Sequence, residues 1–361
     1  MKKEVKVAIV ILVVVALILG AILIVRNFSK KEVTEEKHET QEKVIAQEEI
    51  VQEPEEPEIK IFSGEDRPIA FMIDNNTNAQ PQASINSTYM VYEIIVEGGE
   101  TRLMALFKGA VADQVGPIRS ARHYFLDYAM ENNALYAHLG MSPQAERDFE
   151  VYDIDHVNGQ IYDTGKARTE SSLYWRVTHK KAPHNAYTNT ESILKIAKDK
   201  GWTTTSDKES VLNYVPEEVN LEQADSMIAN TVTIPYSTGH KVQYKYDETS
   251  KRYTRYSKNR KMTDEVTKED ITTKNIIITF AKNYTLNDGE NKGRQDVVTV
   301  GSLDGYYITN GKAIKIKCIK NDRSEQTQYV DMQGNEINVN DGNTWVNVCP
   351  IDSDVVISES I

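Results

Sequence analysis

The sequence predicts an α+β protein in which an N-terminal membrane helix and an acidic disordered linker precede an α/β layered domain and a mostly antiparallel β domain. Three observations support this prediction. A long uncharged run lies close to the N-terminus, and a glutamate-rich stretch follows it. Strand-like and helix-like segments then alternate over residues 63–205, which indicates an α/β layer structure. Over residues 231–361, short strands separated by Asn-Gly and Gly-Asn turns indicate a β domain.

The apolar run over residues 7–25, "VAIVILVVVALILGAILIV", is long enough to span the hydrocarbon core of a bilayer. We therefore expect residues 1–6 to be a cytoplasmic leader and residues 7–25 to be an uncleaved, single-pass transmembrane anchor. A cleaved signal peptide is the alternative, with Gly20-Ala21 as a weak cleavage site. Because the leader is short and the body that follows is hydrophilic, we expect the bulk of the chain to be extracytoplasmic.

The segment over residues 27–62 is dominated by glutamate and contains few large apolar residues. Such a composition cannot bury enough surface to offset the entropy cost of ordering the chain. We predict a disordered spacer that holds the folded part away from the membrane. An acidic recognition tail is the alternative.

The charge and the cysteine content argue against several classes of function. The formal net charge is −12 at pH 7, and the sequence shows no basic stripe of the kind that nucleic-acid-binding proteins carry. The two cysteines belong to no CxxC motif and to no Cys/His cluster, so the sequence predicts no metal site. It also contains no nucleophile elbow, metalloprotease, P-loop or dinucleotide motif, and it indicates no cofactor.

A hairpin is predicted around Gly98-Gly99, with a helix through its first half as the alternative. Side chains alternate between the two faces of a strand. With residue 97 placed opposite residue 100, Glu93, Glu97 and Arg102 would therefore share one face of the hairpin.

The stretch over Val115–Asn133 has the pattern of an amphipathic helix that aims two arginines at its own core. On a helical wheel, Arg122 falls inside the apolar sector and Arg119 falls on its edge. A guanidinium group in apolar surroundings destabilises the fold unless it is paired, so each arginine needs a negative partner. The candidate partners within the protein are the strand carboxylates Glu93, Glu97 and Asp74.

Two interpretations of these arginines stay open. They can form a salt-bridge network that fixes the helix on the sheet, or they can bind a phosphate, carboxylate or sulfate. The predicted place of Arg119 in the first helical turn favours an anion, because free N–H groups point there. The candidate ligand-binding residues, none with an assigned catalytic role, are Arg119, Arg122, Arg102, Glu97, His138, Ser142, Gln144, His184 and Asn185.

His138 ends a predicted strand, and Ser142 beyond it is the predicted N-cap of a helix. Strand ends of this kind are common places for sites in α/β domains, and a hydrogen-bonded core histidine is the alternative. His184 and Asn185 lie in a loop after Pro183 that could form a lid or a simple cap.

Cys318 and Cys349 lie on predicted strands of the β domain. In an extracytoplasmic protein, a disulfide bond between them would stabilise the fold by roughly 3–4 kcal/mol on the loop-entropy model. Two small buried thiols are the alternative.

Several long motifs stand in order along both predicted domains. In the α/β domain they are "RPIAFMIDN", "EGGETRLMALF", "VGPIRSARHYFLDYA", "AHLGMSPQA" and "APHNAYT", and in the β domain "YKYDETSKRYTRY", "KNIIITF", "GYYITNGKAIKI" and "NTWVNVCP". Together they resemble the YerB-like family of bacterial envelope proteins, which are often lipoproteins and have no known activity. The resemblance implies a two-domain extracytoplasmic protein. This chain lacks the N-terminal cysteine of the lipoproteins, so its hydrophobic helix would be the attachment.

From the sequence we expect a membrane-tethered extracytoplasmic protein that binds an anionic glycan, a peptide or an envelope protein through its arginine-lined site. The membrane would be its second partner, through the N-terminal helix, and nucleic acid would not be a partner. The alternative is a cell-envelope hydrolase or transferase in which Glu97 or His138 acts as a base. The arginines would then stabilise an oxyanion or a phosphate.

Overall fold

The computed structural model describes residues 58–360. They form a mostly β structure with three α-helices, α1 (His123–Glu131), α2 (Pro143–Val151) and α3 (Thr190–Asp199). The strands of the described chain are β1 (Ile69–Asp74), β2 (Met90–Ile95), β3 (Thr101–Phe107), β4 (Leu135–His138), β5 (His156–Asn158), β6 (Trp175–Arg176), β7 (Ala186–Tyr187), β8 (Tyr214–Val215), β9 (Met227–Ile228), β10 (Thr231–Ser237), β11 (His240–Asp247), β12 (Arg252–Ser257), β13 (Arg260–Lys261), β14 (Thr272–Thr273), β15 (Asn275–Ala281), β16 (Asn283–Thr285), β17 (Gln295–Val297), β18 (Gly301–Thr309), β19 (Lys312–Lys320), β20 (Gln328–Asp331), β21 (Val339–Asn340), β22 (Thr344–Pro350) and β23 (Val356–Ser358).

One large mixed sheet has the strand order β20-β19-β18-β15-β22-β2-β3-β1-β4-β5, and β9 also pairs with β19. Strand β22 is parallel to both β15 and β2, while β1, β4 and β5 are parallel to one another. Because β3 is antiparallel to both β2 and β1, the strands β15, β22, β2, β1, β4 and β5 all run in the same direction. Their C-terminal ends therefore meet at one edge of the sheet, which we call the carboxyl edge.

The large sheet is covered on both faces. An antiparallel six-stranded sheet, β13-β12-β11-β10-β23 with β14 paired to β12, lies on one face, where the ring centroids of Tyr244 and Trp345 are 6.3 Å apart. Helix α1 lies on the other face, where the rings of Tyr128 and Tyr92 are 4.6 Å apart. Alternation along β2 consequently points Tyr92 towards α1 and Glu93 towards the six-stranded sheet.

The large sheet contains strands from both predicted domains. Strands β1–β5 come from residues 63–205, and β15, β18, β19, β20 and β22 come from residues 231–361. The two segments meet where β22 pairs with β2, and the described residues accordingly lie in one compact unit. The site at the carboxyl edge is therefore built on a sheet to which both segments contribute.

The helix predicted over Val115–Asn133 is shorter in the structure, and both arginines precede it. Helix α1 begins one residue after Arg122, which is its N-cap, and residues 115–122 form an extended segment. The backbone of this segment bonds to neighbouring segments instead of to a helical turn, as when Arg119 N donates to Met72 O at 2.8 Å. Placing Arg119 in a first helical turn was therefore wrong, because tertiary pairing outweighs the helical pattern here.

The predicted hairpin forms, but its register differs by one residue. Ile95 lies opposite Thr101, and the turn contains three residues, Glu97–Gly99, instead of two. Both glycines of the turn adopt positive φ, which glycine tolerates without strain. A slip of one residue moves side chains to the other face of a strand, so Glu93 and Arg102 point to opposite faces of the sheet.

The last residues of the predicted 27–62 linker belong to the folded unit. Phe62 packs edge-on against Tyr89 with ring centroids 5.3 Å apart, and Ile59 and Ile61 pack against the core. Burial of these apolar side chains supplies the driving force that the preceding glutamates lack. The predicted leader, the predicted anchor and the rest of the linker lie outside the described residues. Among residues 58–360, no helix is long and apolar enough to cross a membrane.

Candidate functional site

The carboxyl edge gathers several of the residues that the sequence analysis selected. Asp74 ends β1, Glu97 follows β2, and Arg102, near the start of the antiparallel strand β3, lies opposite Asp74. The extended segment before α1 brings two more arginines to this edge. We call the following residues the arginine cluster: Asp74, Glu97, Arg102, Arg119, Arg122 and His184.

Glu97 holds two of the three arginines. Arg122 donates to its carboxylate through two bonds, 2.5 Å from Nε and 3.0 Å from Nη2. Arg102 Nη2 lies 3.7 Å from the same carboxylate, while its Nη1 donates to the carbonyl oxygen of Ser120. Burial raises the pKa of Glu97, but the hydrogen bonds and the charge of Arg122 lower it below its usual value. Glu97 is therefore ionised at neutral pH.

Asp74 holds the third arginine and a histidine. Arg119 Nε lies 3.3 Å from Asp74 Oδ2, and His184 Nδ1 lies 2.7 Å from the same oxygen. The loop that carries His184 also contacts the arginine directly, because Arg119 Nη1 donates to the carbonyl oxygen of Pro183 at 3.4 Å. The structure thus pairs the arginines with Glu97 and Asp74, two of the three carboxylates that the sequence analysis named.

The arginine cluster carries more positive than negative charge. Three guanidinium groups face two carboxylates. Burial, followed by the nearby charge of Arg122, lowers the pKa of Arg102 to about 10, and Glu97 offsets this only in part. A buried arginine whose charge is incompletely compensated would be stabilised by an added anion.

The outer groups of the cluster are accessible to solvent. The side chains of Arg119, Glu97 and His184 are 26%, 20% and 17% exposed, whereas that of Arg102 is 7% exposed. Four cavities in the described part of the chain are all lined by other residues. We therefore describe the cluster as a surface site, at which an anion would contact Arg119 first.

His138 does not join the arginine cluster. Its ring is fully buried, with Nδ1 2.8 Å from the carbonyl oxygen of Gly140 and Nε2 2.9 Å from His156 Nδ1. Phe149 stacks on both imidazole rings. Burial and then the neighbouring His156 lower the pKa of His138 to about 3, and burial lowers that of His156 to about 4. His138 is thus a hydrogen-bonded core histidine, the alternative that the sequence left open.

The histidine pair makes stability depend on pH. A pKa lowered from 6.5 to about 3 means that the folded state resists protonation of His138, so stability is complete above about pH 6.5 and is lost as the pH falls towards 3. Between pH 7 and pH 4, we expect the free energy of unfolding to decrease by on the order of 2 kcal/mol less in His138→Gln than in the wild type. Urea denaturation at several pH values measures this. The exposed His179→Gln variant is the control, and an unchanged profile in His138→Gln would contradict the prediction.

Three further candidates make their hydrogen bonds away from the cluster. Ser142 caps α2 as predicted, accepting from a backbone N–H of the first turn at 3.2 Å. Gln144 Nε2 donates to Asp288 at 3.4 Å, and Asn185 Oδ1 accepts from Arg176 at 3.1 Å. The structure therefore gives these residues positions in neighbouring loops and caps, and not in the arginine cluster.

Cys318 and Cys349 are separate buried thiols, so the disulfide bond considered from the sequence is not formed. Strands β18 and β15 stand between β19 and β22, and at about 4.8 Å per strand step this separation exceeds the roughly 7 Å that a disulfide can span. Burial raises the pKa of both thiols to about 12, which keeps them protonated. Across residues 58–360, no group of three His, Cys, Asp or Glu side chains converges to form a metal site.

Glu93, the third carboxylate named from the sequence, belongs to a separate buried network on the other face of the sheet. It pairs with Arg255 and lies 2.7 Å from Thr101 Oγ1 and 3.0 Å from Asn75 Nδ2. Burial raises the pKa of Glu93, but Arg255 and hydrogen bonds that include His240 lower it to about 2. This ion pair joins the large sheet to the six-stranded sheet, so its role is structural.

The described chain thus combines a large mixed sheet, which carries the arginine cluster at one edge, with a second β-sheet on one face. Residues 56–203 match the domain described as "Protein of unknown function (DUF3048) N-terminal domain", and residues 232–346 match the corresponding C-terminal domain. The chain belongs to this YerB-like family.

Two comparisons with Bacillus subtilis proteins support this membership. A relative from strain 168, named "Putative lipoprotein YerB", is 29% identical over 300 residues, which span 79% of this chain and 82% of the relative. The crystal structure of the YerB protein from Bacillus subtilis matches with a TM-score of 0.70 at 28% identity, over 83% of this chain and 97% of that chain. The similarity expected from the sequence motifs is therefore confirmed.

Proposed function

We propose that this protein is a membrane-tethered, extracytoplasmic protein that binds an anionic ligand of the cell envelope at the arginine cluster. The name of the Bacillus subtilis relative supports attachment to a membrane. In this chain, the apolar run over residues 7–25 would serve as the anchor in place of a lipidated cysteine. The acidic segment that follows would then act as a spacer.

The excess positive charge of the cluster is the observation that supports an anionic ligand. Arg119 is the most exposed of the three arginines, and His184 lies beside it on the same carboxylate. A phosphate or carboxylate group could accept hydrogen bonds from the free guanidinium nitrogens of Arg119 while Asp74 keeps the side chain in place. An anionic glycan, an acidic peptide or an acidic patch of an envelope protein would each present such a group.

Binding of inorganic phosphate and of poly(glycerol phosphate) tests this proposal. We expect Arg119→Gln to weaken binding about tenfold, because a charge-assisted contact is lost, and Arg119→Lys to weaken it less. Isothermal titration calorimetry and NMR titration of the full chain in detergent measure both effects. Arg260→Gln, on the exposed strand β13, is the matched control and should bind like the wild type.

Two results would contradict the proposal. Equal affinity in the wild type and in Arg119→Gln would place any binding elsewhere on the molecule. Unfolding of Arg119→Gln without a loss of affinity in its folded fraction would show that the arginine only braces the sheet.

The alternative of a hydrolase or transferase has less support. The ring nitrogens of His138 are both occupied, and its lowered pKa makes it a weak base. Glu97 is held by two bonds from Arg122, and its lowered pKa disfavours proton uptake as well. A general base needs a pKa near the working pH and access to its substrate, and neither residue combines these properties.

A further inference from the structure

His184 lies beside the most exposed arginine of the arginine cluster. Both side chains contact one carboxylate oxygen, Asp74 Oδ2, which is 2.7 Å from His184 Nδ1 and 3.3 Å from Arg119 Nε. The carboxylate is fixed in turn, because its other oxygen accepts a hydrogen bond from the backbone N–H of Asn76 at 3.0 Å. An anion bound to Arg119 would therefore lie close to the imidazole ring.

The contact with Asp74 determines which ring nitrogen of neutral His184 carries the proton. A carboxylate accepts hydrogen bonds and does not donate them, so Nδ1 is the donor and the lone pair of the neutral ring is on Nε2. Within the described part of the chain, Nε2 forms no hydrogen bond, and it is accessible to solvent. Neutral His184 thus presents a lone pair to solvent, whereas protonated His184 presents an N–H group at the same place.

Protonation of His184 changes what an anion meets at this site. With a neutral ring, three guanidinium groups face two carboxylates, and a protonated ring adds a fourth cation. The N–H group of an imidazolium ring can donate a charge-assisted hydrogen bond to an anion, whereas the lone pair of the neutral ring repels it. Histidine is the side chain that ordinarily changes its charge between about pH 5 and pH 8.

The other charged groups around His184 come from three parts of the chain. Asp74 ends β1, and Arg119 lies in the extended segment before α1. Two lysines lie on the loop of His184 itself. Lys180 pairs with Glu265, and Lys181 accepts a backbone hydrogen bond from His184 N at 2.9 Å. Among these groups, His184 is the one whose ordinary titration falls near neutral pH.

We propose that His184 makes anion binding at the arginine cluster depend on pH, by donating from Nε2 to the anion that Arg119 holds when the ring is protonated. The site then binds its ligand tightly in a mildly acidic medium and releases it as the pH rises. Because binding and protonation favour each other, anion binding is accompanied by uptake of a proton. This inference rests on the function proposed above, since it concerns the same ligand.

Binding of sulfate at two pH values tests the proposal. Sulfate is the probe because it keeps both negative charges over this range, whereas phosphate changes its own charge. We expect the wild type to bind sulfate about tenfold more tightly at about pH 5.5 than at about pH 8, since one charge-assisted hydrogen bond is gained. Isothermal titration calorimetry of the full chain in a non-ionic detergent, at constant ionic strength, measures both affinities.

Proton uptake gives a second measurement that needs no substitution. At a pH near the middle of this range, sulfate binding by the wild type should take up a measurable fraction of one proton. Calorimetry in buffers that differ in their enthalpy of ionisation measures this fraction. A site formed by arginines alone would bind sulfate without proton uptake, because arginine does not titrate near neutral pH.

Variants at three histidines identify the group that takes up the proton. His184→Gln should bind sulfate with the same weak affinity at both pH values and take up no proton. His179→Gln is the exposed control, since His179 is 55% exposed and pairs with Glu265 at 3.0 Å. His123→Gln is the control closest in sequence to the cluster, since His123 follows Arg122 and lies 2.8 Å from Asp296. Both controls should keep the pH dependence of the wild type.

The outcomes separate this inference from the proposed function. Wild-type affinity that is equal at both pH values, or pH dependence that persists in His184→Gln, would overturn the role of His184. The anion site itself would still stand if Arg119→Gln weakened sulfate binding. No sulfate binding at either pH would overturn both. If His184→Gln does not fold, proton uptake decides, because its absence in the wild type or its loss in either control variant would overturn the assignment to His184.

Discussion

Replacing Arg255 by methionine is expected to lower the free energy of unfolding by about 3–5 kcal/mol at neutral pH. Arg255 and Glu93 are both fully buried, and the guanidinium group also stacks on Trp345, with its central carbon 4.3 Å from the ring centroid. Methionine preserves much of the apolar packing but leaves the carboxylate of Glu93 buried without its counter-charge. Chemical denaturation of both proteins measures the difference.

The pH dependence of this effect identifies its cause. In the wild type, the pKa of Glu93 is lowered from 4.5 to about 2, so the ion pair stabilises the fold above about pH 4.5 and is lost as the pH falls towards 2. Loss of Arg255 removes the largest effect that lowers the pKa of Glu93, although the contacts with His240 and Thr101 remain. We therefore expect the difference between variant and wild type to shrink between pH 7 and pH 4. Arg260→Met, on an exposed strand, is the control. A difference that does not vary with pH would show that lost packing, and not the unpaired charge, is the cause.

Replacing Lys320 by methionine is expected to have a similar effect, again about 3–5 kcal/mol. Lys320 Nζ lies 2.8 Å from Glu131 Oε2, and both side chains are almost completely buried. Glu131 also accepts hydrogen bonds from the hydroxyl groups of Tyr92 and Thr327, at 2.7 Å each. These bonds orient the carboxylate but do not neutralise it, so Glu131 would remain as an unpaired buried charge.

A double-mutant cycle separates this unpaired charge from other effects of the substitution. The combination of Lys320→Met with Glu131→Gln should be less destabilised than the sum of the two single variants, because no net charge is then left buried. Lys195→Met, which breaks an exposed pair with Asp199, should change stability by less than about 1 kcal/mol. Strict additivity of Lys320→Met and Glu131→Gln would contradict this explanation.

The sequence predicted strands and turns well, because their signals are local. The run that became β1, the hairpin of β2 and β3, and the Ser142 cap of α2 all follow from short-range patterns of apolar and turn residues. The helix predicted over Val115–Asn133 forms only over His123–Glu131, because the backbone of its first residues pairs with distant segments. Such pairing leaves no trace in a window of eleven to eighteen residues.

The sequence indicated correctly that the arginines of the site need carboxylate partners, but it identified these carboxylates only in part. We expected Arg119 and Arg122 to pair with carboxylates because desolvation of an unpaired guanidinium group is unfavourable. The pairs are present, although neither arginine lies on the helix that the helical wheel assumed. The assumed hairpin register, which was wrong by one residue, placed Glu93 on the same face as Glu97 and Arg102. His156 was missed as the partner of His138, because adjacency of β4 and β5 is a property of the sheet and not of the local sequence.

The position of β22 in the large sheet has a consequence for how the protein is made. Strand β2, near the beginning of the folded part, obtains one of its two neighbours from Thr344–Pro350, close to the end of the chain. During synthesis, this edge of β2 stays unpaired until residues 344–350 have emerged from the ribosome or, in an exported protein, from the translocation channel. The large sheet therefore cannot be completed before β22 is available. A premature stop codon before Thr344 would leave one edge of β2 unpaired and prone to aggregation.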